Sequence, residues 1–556
     1  MPHALFISRF AFLLALHATL ATALRGQDAG SLPQGEIFVG SELENYLRYV
    51  TVRTGRGAAS WSIREFSQVE LQQMQPGLDH PWVRHLQSNT LLSLGTASVQ
   101  LIAPRWGFTE NTSLPFGSND GAVWKGRGVT SWISGGMRAQ AGPVVLTIMP
   151  VAFWAQNQQF DVIPTGYTGP QQFADYGNPT TVDRPQRFGD GALTVVDPGQ
   201  SSLRVDFPAF TLGVSTANQA WGPAHTFPFL LSANAPGFPH VFLGTGRSLN
   251  LGPVALNGRL VYGKLEQSAY AFVPESLYFP RRFMSGVVAT IEPKVLTGLE
   301  VGAARFFHTP WHDGGPTAAD LRKPFETFSK RTLISIGRDL AGQGGEDNQL
   351  ASVFGRWAFP RGGFEIYAEA GREDHGYNIR DVLLEPDHTG TRLYGFRKTT
   401  RIDSTGFVAV RGEFMNAQAT RMAAVRAEGT SFLGSVLRQG HTEKGQLLGA
   451  DIGPGDGAAH LLATDVYRPW GRTSFWYQRK ARGRLDGFRF DGIVRPTDNE
   501  SQHAIGVEML RFAGDFDISG SVGYMKDFNR GFVADASNFT VELGARWQRK
   551  KWPPGQ

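Results

Sequence analysis

Apolar and polar residues alternate along most of this chain with a period of two. Between residues 129 and 141, Ile133 and Met137 fall on one side, and Trp132 and Arg138 fall on the other. This period is typical of a β-strand, because successive side chains of a strand point to opposite faces. An Ala-Gly-Pro turn at 141–143 is followed by a second alternating run that ends near Gln156. The pattern therefore predicts an antiparallel hairpin over residues 129–156.

The same plan repeats along the chain and gives a strand count. Short turns between alternating runs fall at 141–143, 207–209, 252–253, 293–294, 361–363, 401–404, 469–471 and 513–515. Eight such turns join sixteen strands, and two further strands at 98–109 and 538–547 bring the total to about 18. Short turns that alternate with long loops are typical of outer-membrane barrels. We therefore predict an all-β fold, a large antiparallel transmembrane β-barrel over residues 96–548.

Long polar segments alternate with the short turns and are expected at the opposite, outward end of the barrel. They cover residues 110–128, 157–200, 217–237, 266–282, 308–349, 373–389, 416–457, 480–500 and 526–536. Connections of this length are uncommon unless they carry function. In the last strand Phe539 and Leu543 should face lipid, and Glu542 and Arg546 should face the lumen. Arg138, Arg259 and Glu300 should face the lumen in the same way, as polar side chains fill barrel interiors.

The residues before the barrel predict export and a short helical segment. Residues 1–23, with Arg9, an apolar run and small residues at the end, fit a secretory signal peptide. Residues 24–95 are predicted to be a small periplasmic helical segment that begins with a capping box at Ser41 and Glu44. A weaker helical pattern runs from Ile63 to Val69, and another helix is expected near 81–91. Residues 549–556 are predicted to form a C-terminal periplasmic tail.

The composition agrees with a barrel and excludes several other classes of protein. The 556 residues include 67 Gly, no Cys and 12% aromatic residues, with a mean hydropathy of −0.22. A helical membrane protein would be more apolar, whereas a barrel needs apolar residues on only one face of each strand. The lack of cysteine excludes disulfides and Cys-ligated metals. A dispersed net charge of +5 gives no indication of nucleic-acid binding.

Four loop motifs resemble the capsule assembly protein Wzi family. They are residues 114–128 (LPFGSNDGAVWKGRG), WGP at 221–223 with LLSANAPGFP at 230–239, LEPDH at 384–388, and HTEKGQLLGA at 441–450 with IGPG at 452–455. Their order runs through most of the chain after the predicted signal peptide. The resemblance implies an 18-stranded outer-membrane barrel with a small periplasmic helical bundle. It also implies a lectin-like, non-enzymatic surface protein that helps to attach capsular polysaccharide to the cell.

The sequence carries no recognisable catalytic motif and predicts no cofactor. A nucleophile elbow, a phosphate-binding loop and an H-E-x-x-H helix are all missing. His308 and His312 give a weak metal signal, and the acidic and histidine residues at 373–375 and 387–388 are best explained as polar loops. We therefore predict that the protein is not an enzyme.

The outward loops carry side chains suited to sugar binding. Aromatic rings stack on the apolar faces of sugars, and Arg binds carboxylates through two parallel hydrogen bonds. The candidate polysaccharide-binding residues are Trp124, Lys125, Arg127, Asn218, Trp221, His225, Trp311, His441 and Lys444. Structural roles remain open for each of them, and Trp470 at a short turn is expected in the aromatic girdle at the membrane interface.

Two other functions remain open from the sequence. A barrel of 16–18 strands can hold an aqueous pore, so a porin-like channel for small solutes or sugars is the main alternative. An outer-membrane hydrolase is the other, although no catalytic residues support it. Expected partners are surface polysaccharide, outer-membrane lipid and polysaccharide export machinery that contacts the helices. We expect a monomer, because a closed barrel leaves no unpaired strand edge.

Overall fold

A computed structural model describes residues 37–54, 59–74, 82, 89–272, 279–327, 347–373, 378–418, 431–434, 436–483 and 499–547. The predicted signal peptide and C-terminal tail lie outside these residues. In the described ranges the chain forms a closed antiparallel barrel of 18 strands, which confirms the predicted fold class and strand count. None of the described helices is long and apolar enough to cross a bilayer.

The first third of the barrel combines two long strands with several short or interrupted ones. Its segments are β2 (Asn89–Leu94), β3 (Ala97–Asn111), β4 (Gly128–Ala141), β5 (Val144–Ile148), β6 (Val151–Ala155), β7 (Leu193–Asp197), β8 (Ser202–Asp206), β9 (Thr211–Ser215), β11 (His240–Gly244) and β12 (Leu249–Leu251). β5 and β6 pair along β4 as one strand broken at Met149 and Pro150. The predicted second arm of the first hairpin is therefore present but interrupted.

The rest of the barrel consists of long continuous strands. They are β13 (Val254–Glu266), β14 (Arg281–Pro293), β15 (Leu299–Pro310), β16 (Asn348–Phe359), β17 (Phe364–Glu373), β18 (Gly390–Arg401), β19 (Phe407–Ala417), β22 (Gly457–Arg468), β23 (Gly471–Gly483), β24 (Asn499–Ala513), β25 (Phe516–Arg530) and β26 (Ala534–Trp547). β26 pairs with β3 and closes the barrel. All eight predicted short turns join neighbouring strands at one end.

The predicted alternation places apolar side chains outside and polar side chains inside. Phe539 and Leu543 of β26 are exposed to the surroundings of the barrel. On the inner face, Arg546 Nε donates to Asp517 Oδ2 at 2.8 Å. Arg259 Nη1 donates to Gln219 Oε1 at 2.9 Å, and Glu300 accepts a hydrogen bond from Ser62 Oγ. The inward charges therefore bind each other and the elements inside the lumen.

The N-terminal segment lies inside the short-turn end of the barrel. It contains α1 (Glu42–Thr54), β1 (Ile63–Arg64) and α2 (Gln68–Gln73). At the start of α1 the Ser41 hydroxyl accepts a hydrogen bond from Glu44 N at 3.2 Å, as a capping box requires. Ile63 belongs to β1 and not to a helix, because it pairs with Trp221 of β10 (Ala220–Trp221). Of the helix expected near 81–91, residues 81 and 83–88 lie outside the described residues, and residues 89–91 belong to strand β2. The domain boundaries remain predictions.

Ion pairs and aromatic contacts hold α1 in the lumen. Arg48 Nη2 lies 2.5 Å from Glu365 Oε1 on β17, and Tyr49 donates to Asp465 Oδ2 on β22 at 2.7 Å. The Tyr46 ring packs on Trp82, with ring centroids 4.2 Å apart. Nine of the twelve α1 residues whose burial is described are buried. The helix therefore fills part of the barrel mouth, and most of its surface faces other parts of the protein.

The long loops add small elements at the other end. They include α3 (Ala318–Arg322), α4 (Ile379–Leu384), β20 (Thr442–Glu443) and β21 (Gln446–Leu447), with 3₁₀ turns at Gly169–Phe173 and Lys323–Phe325. A further 3₁₀ turn, Pro360–Gly362, lies at a short turn. Two of the long loops turn inward and supply thirteen of the thirty buried residues of the main hydrophobic core.

Candidate functional site

The lumen is filled by a plug formed from residues 216–239 and 436–456 together with Ser431–Leu433. Its core contains the fully or almost fully buried side chains Trp221, Phe227, Phe229, Leu230, Leu231, Phe238, Phe432, Leu447, Leu448 and Ile452. These pack on inward residues of β13–β19, for example Met284, Phe306 and Leu393. We call the inner face of β13–β19 the packed wall. Burial of this much apolar surface is the main stabilising contribution at the long-loop end.

Three of the four sequence motifs meet in and around this plug. Gly121 N donates to Ala233 O at 2.6 Å, which joins the first motif to the second. Ser232 N donates to Leu448 O at 2.9 Å, which joins the second to the fourth. The LEPDH motif at 384–388 lies apart from them, between β17 and β18. The first, second and fourth motifs are therefore in contact in the folded protein, although they are far apart in the chain.

A cleft of about 250 Å³ lies on the long-loop side of the plug. The first motif supplies Phe116 and Trp124, and the loop between β6 and β7 supplies Phe160, Tyr176 and Phe188. Trp124 lies edge-on to Phe188, with ring centroids 5.1 Å apart. Aromatic rings at such a concave site offer apolar faces on which the C–H groups of a sugar can stack.

The cleft contains equal numbers of acidic and basic residues, and most of them form ion pairs. Five are acidic and five basic: Asp120, Asp175, Asp451, Glu500, Asp527, Lys125, Arg184, Lys480, Arg482 and Arg530. Arg482 binds both carboxylate oxygens of Asp175, at 2.5 and 3.1 Å. Burial alone would raise the pKa of Asp175, but Arg482 and Arg184 hold it below its ordinary value. The cleft thus presents fixed hydrogen-bonding groups without a net charge.

Lys125 forms the floor of the cleft together with two carboxylates. Its Nζ lies 2.8 Å from Asp120 Oδ1 and 2.7 Å from Glu542 Oε1. Burial raises the pKa of Asp120 to about 6, with Glu542 adding to the effect and Lys125 opposing it. Burial would lower the pKa of Lys125, but the two carboxylates outweigh it and raise the pKa above its ordinary value. Lys125 therefore stays cationic and holds the two acidic groups together.

Four of the candidate binding residues lie in or near the cleft. Trp124 and Lys125 line it directly. Arg127 is close in sequence, but its guanidinium donates to the carbonyl oxygens of Thr112 and Gln159. Lys444 precedes the cleft residues Gly445 and Gln446, and its Nζ lies 3.2 Å from Asp197 Oδ2. Trp124 is thus the candidate best placed to meet a glycan.

Three of the other candidates, Asn218, Trp221 and His441, are buried in the plug, and the fourth, His225, is half-buried there. Asn218 donates to Ser232 O and Ala235 O at 3.2 and 2.9 Å, and Trp221 is fully buried against Phe306. His225 N donates to Glu413 Oε1 at 2.6 Å. His441 Nδ1 lies 2.9 Å from His308 Nε2.

Burial lowers the pKa of His441 to about 4 and that of His225 well below its ordinary value. Both rings are therefore neutral at physiological pH. We assign Asn218, Trp221, His225 and His441 to the structure of the plug.

The last candidate, Trp311, lies outside this region. It is half-buried at the end of β15, with its ring centroid 6.1 Å from that of Phe283. The neighbouring histidines do not come together, because His308 is buried in the lumen while His312 is exposed. Within the described ranges, no three His, Asp or Glu side chains are placed to hold a metal ion.

Sequence reasoning missed several cleft residues that come from other loops. Tyr176, Arg184 and Arg482 are brought together over about 300 positions of sequence. The Arg482 guanidinium lies 4.7 Å from the centre of the Tyr176 ring. Each of them lies in or beside a predicted long loop, but nothing in its local sequence distinguishes it from other loop residues. Only contact between the loops identifies them.

Comparison with known proteins identifies the fold. No family model and no curated protein sequence matches the chain. Among solved structures it is similar to Wzi of Escherichia coli, described as an outer-membrane protein involved in group 1 capsule assembly and a carbohydrate-binding β-barrel. The TM-score is 0.60 at 12% sequence identity, over 93% of this chain and 100% of that one. The chain has the fold of Wzi. The resemblance seen in the loop motifs is confirmed at the level of fold.

Other solved structures align less well. Pseudomonas aeruginosa OpdQ matches with a TM-score of 0.38 at 8% identity, over 81% of this chain and 97% of its own. Acinetobacter baumannii OccAB2 matches with a TM-score of 0.40 at 9% identity, over 82% and 98% of the two chains.

Proposed function

We propose that this protein is a non-enzymatic outer-membrane barrel that binds or anchors capsular or extracellular polysaccharide at the cell surface and supports capsule assembly. The cleft beside Trp124 is the observation that carries the proposal. It combines aromatic faces with fixed polar groups at the long-loop end, which faces outward in barrels of this kind. Wzi, whose fold the chain shares, is described as a carbohydrate-binding barrel.

The packed plug favours this role over a wide, porin-like pore. Phe229, Leu230 and Phe432 fill the middle of the lumen and pack on the packed wall. Water-filled pores of large barrels are lined by polar residues, whereas this region is packed with apolar side chains. Three points remain predictions: contact with the export machinery, contact with outer-membrane lipid, and a monomeric state.

The balanced charge of the cleft indicates what kind of glycan would fit. With its acidic and basic groups largely paired, the cleft offers hydroxyl-binding groups without a strong field. Binding should therefore depend more on stacking and hydrogen bonding than on charge. Raising the salt concentration should change the affinity only slightly, because screening acts on exposed charges.

The test is binding of the detergent-folded protein to surface polysaccharide from its native host, with unrelated neutral and anionic glycans for comparison. We expect selective binding that Trp124→Ala weakens about tenfold, since an aromatic contact contributes up to about 1.5 kcal/mol beyond its buried area and about 1.4 kcal/mol corresponds to a tenfold change in affinity. Trp470→Ala is the matched control, because this half-exposed tryptophan lies at the opposite, short-turn end. Equal losses in both variants, or no glycan binding by a folded barrel, would contradict the proposal.

A further inference from the structure

A second cavity, of about 580 Å³, lies between the plug and one side of the barrel. Its outer boundary is the inner face of β3, β4, β24, β25 and β26, which we call the polar wall. At the short-turn end it reaches Glu42 of α1, Asp517 and Arg546. At the other end it reaches Thr109, Asp120 and Lys125. The cavity therefore extends along much of the length of the barrel, away from the barrel axis.

The polar wall carries small side chains at several inward positions beside the cavity, although the Trp132 ring covers one of them, Gly107. Its inward positions include Gly107, Ser134, Ser519, Ser521 and Gly544, all of which line it. Ser519 faces inward beside Asp517, and its side chain is exposed to the cavity. Inward positions of the packed wall instead carry residues such as Phe306 and Leu350, which fill the space against the plug. Small polar residues leave room and hydrogen-bonding partners for water.

This cavity and the cleft meet at one place. Asp120, Val123 and Lys125 line both of them. The partition between the two is thus the ion-paired group of Lys125 with Asp120 and Glu542, at 2.8 and 2.7 Å. Of the three shared residues Lys125 has the longest and most flexible side chain, so we expect its movement to widen the contact between the two spaces.

The charges that line the cavity favour cations. They comprise four basic residues and six acidic ones: Arg105, Lys125, Arg472, Arg546, Glu42, Asp120, Asp197, Glu508, Asp517 and Glu542. Loss of the Lys125 charge would leave Asp120 and Glu542 facing each other across the narrow point. Acidic side chains at a constriction select cations over anions.

We propose that the polar-wall cavity is part of an off-axis passage for water and small cations, and that the ion pairs of Lys125 close it beneath the cleft. The passage is distinct from the glycan cleft and from a wide central pore. It follows the one side of the lumen that the plug does not fill.

Conductance of the full-length protein in planar bilayers tests the gate. In potassium chloride, Lys125→Gln should raise the conductance roughly tenfold over the unaltered protein and give a cation-selective reversal potential, because a change of about 1.4 kcal/mol in the closing interaction is a tenfold change in open population. Adding Ser521→Trp should abolish the increase by filling the passage. Lys264→Gln is the matched control, because Lys264 also pairs with a carboxylate, Glu266 at 2.6 Å, but lines neither space.

A gain in conductance that Ser521→Trp does not reduce, or no difference between Lys125→Gln and Lys264→Gln, would overturn the proposal. A second measurement does not depend on the gate variant. The chain has no cysteine, so Ser521→Cys and Ser352→Cys provide single labelling sites on the polar and packed walls. A cationic methanethiosulfonate should modify the first roughly tenfold faster than the second, because thiol reactivity depends on access. Equal rates in the folded protein would contradict a water-filled passage.

Discussion

The two walls of the barrel interior differ in how closely they pack against the plug. The packed wall presents Met284, Phe306 and Leu393 to the plug and leaves little space. The polar wall presents serine, glycine and paired charges and leaves a cavity of about 580 Å³. Both have the same alternating backbone pattern and both carry buried charges, such as Glu365 and Arg397 on the packed wall, so the difference lies mainly in the large apolar side chains of the packed wall. One wall holds the plug in place, and the other leaves an open space along it.

The largest expected effect comes from removing a large residue at the packed wall. Trp221 is fully buried between the plug and Phe306. Trp221→Ala should lower the free energy of unfolding by about 3–5 kcal/mol, because it leaves a cavity in an apolar core. Urea unfolding of the detergent-folded barrel, followed by tryptophan fluorescence, measures the change. Ser519→Ala on the polar wall is the control and should change stability by less than about 0.5 kcal/mol. Comparable losses would mean that the two walls do not differ as described.

A smaller effect is expected from adding one methyl group to each wall. At Gly286, an added Cβ would lie 2.7 Å from Trp221 Cη2, which is too close for a packed pair. Gly286→Ala should therefore destabilise the barrel by about 1–3 kcal/mol through overpacking. Ser519→Thr adds one methyl group at an exposed inward position and should be nearly neutral. The same unfolding measurement checks both variants, and a neutral Gly286→Ala would show that the packed wall can relax.

The smallest effect concerns pH and the partition beside Lys125. Burial raises the pKa of Asp120 from 3.8 to about 6 in the folded protein. The folded state therefore binds this proton more tightly than the unfolded state. Its contribution to stability is present below about pH 4 and is lost as the pH rises through 6.

Unfolding measured across pH 4–7 tests this contribution. Asp120→Asn cannot ionise, so its stability should fall less than that of the unaltered protein as the pH rises from 4 to 6. The matched control is Asp451→Asn, which removes a cleft carboxylate whose pKa Lys480 and Arg184 hold below its ordinary value despite burial. Asp451→Asn should leave the decrease in the free energy of unfolding between pH 4 and 6 unchanged. Parallel curves for the unaltered protein and Asp120→Asn would contradict the assignment.

The sequence alone determined the barrel, because the evidence for it is local. Alternation in β26 predicted which side of the strand carries Glu542 and which carries Leu543, and the eight short turns gave the strand count. The period of two reports the two faces of a strand whatever lies on them. The capping box at Ser41 is local in the same way, and α1 begins where it was expected.

Only the tertiary structure decided where the loops go and which residues they bring together. Trp124 and Trp221 look alike in sequence, both aromatic residues in glycine-rich loop motifs. One lines a cleft and the other is fully buried, because the second loop folds into the lumen and the first covers it. Burial, the contacts of Arg482 with Asp175, and the shared floor at Lys125 all depend on residues hundreds of positions apart. No local pattern encodes such contacts, since they arise from packing of whole loops against the barrel wall.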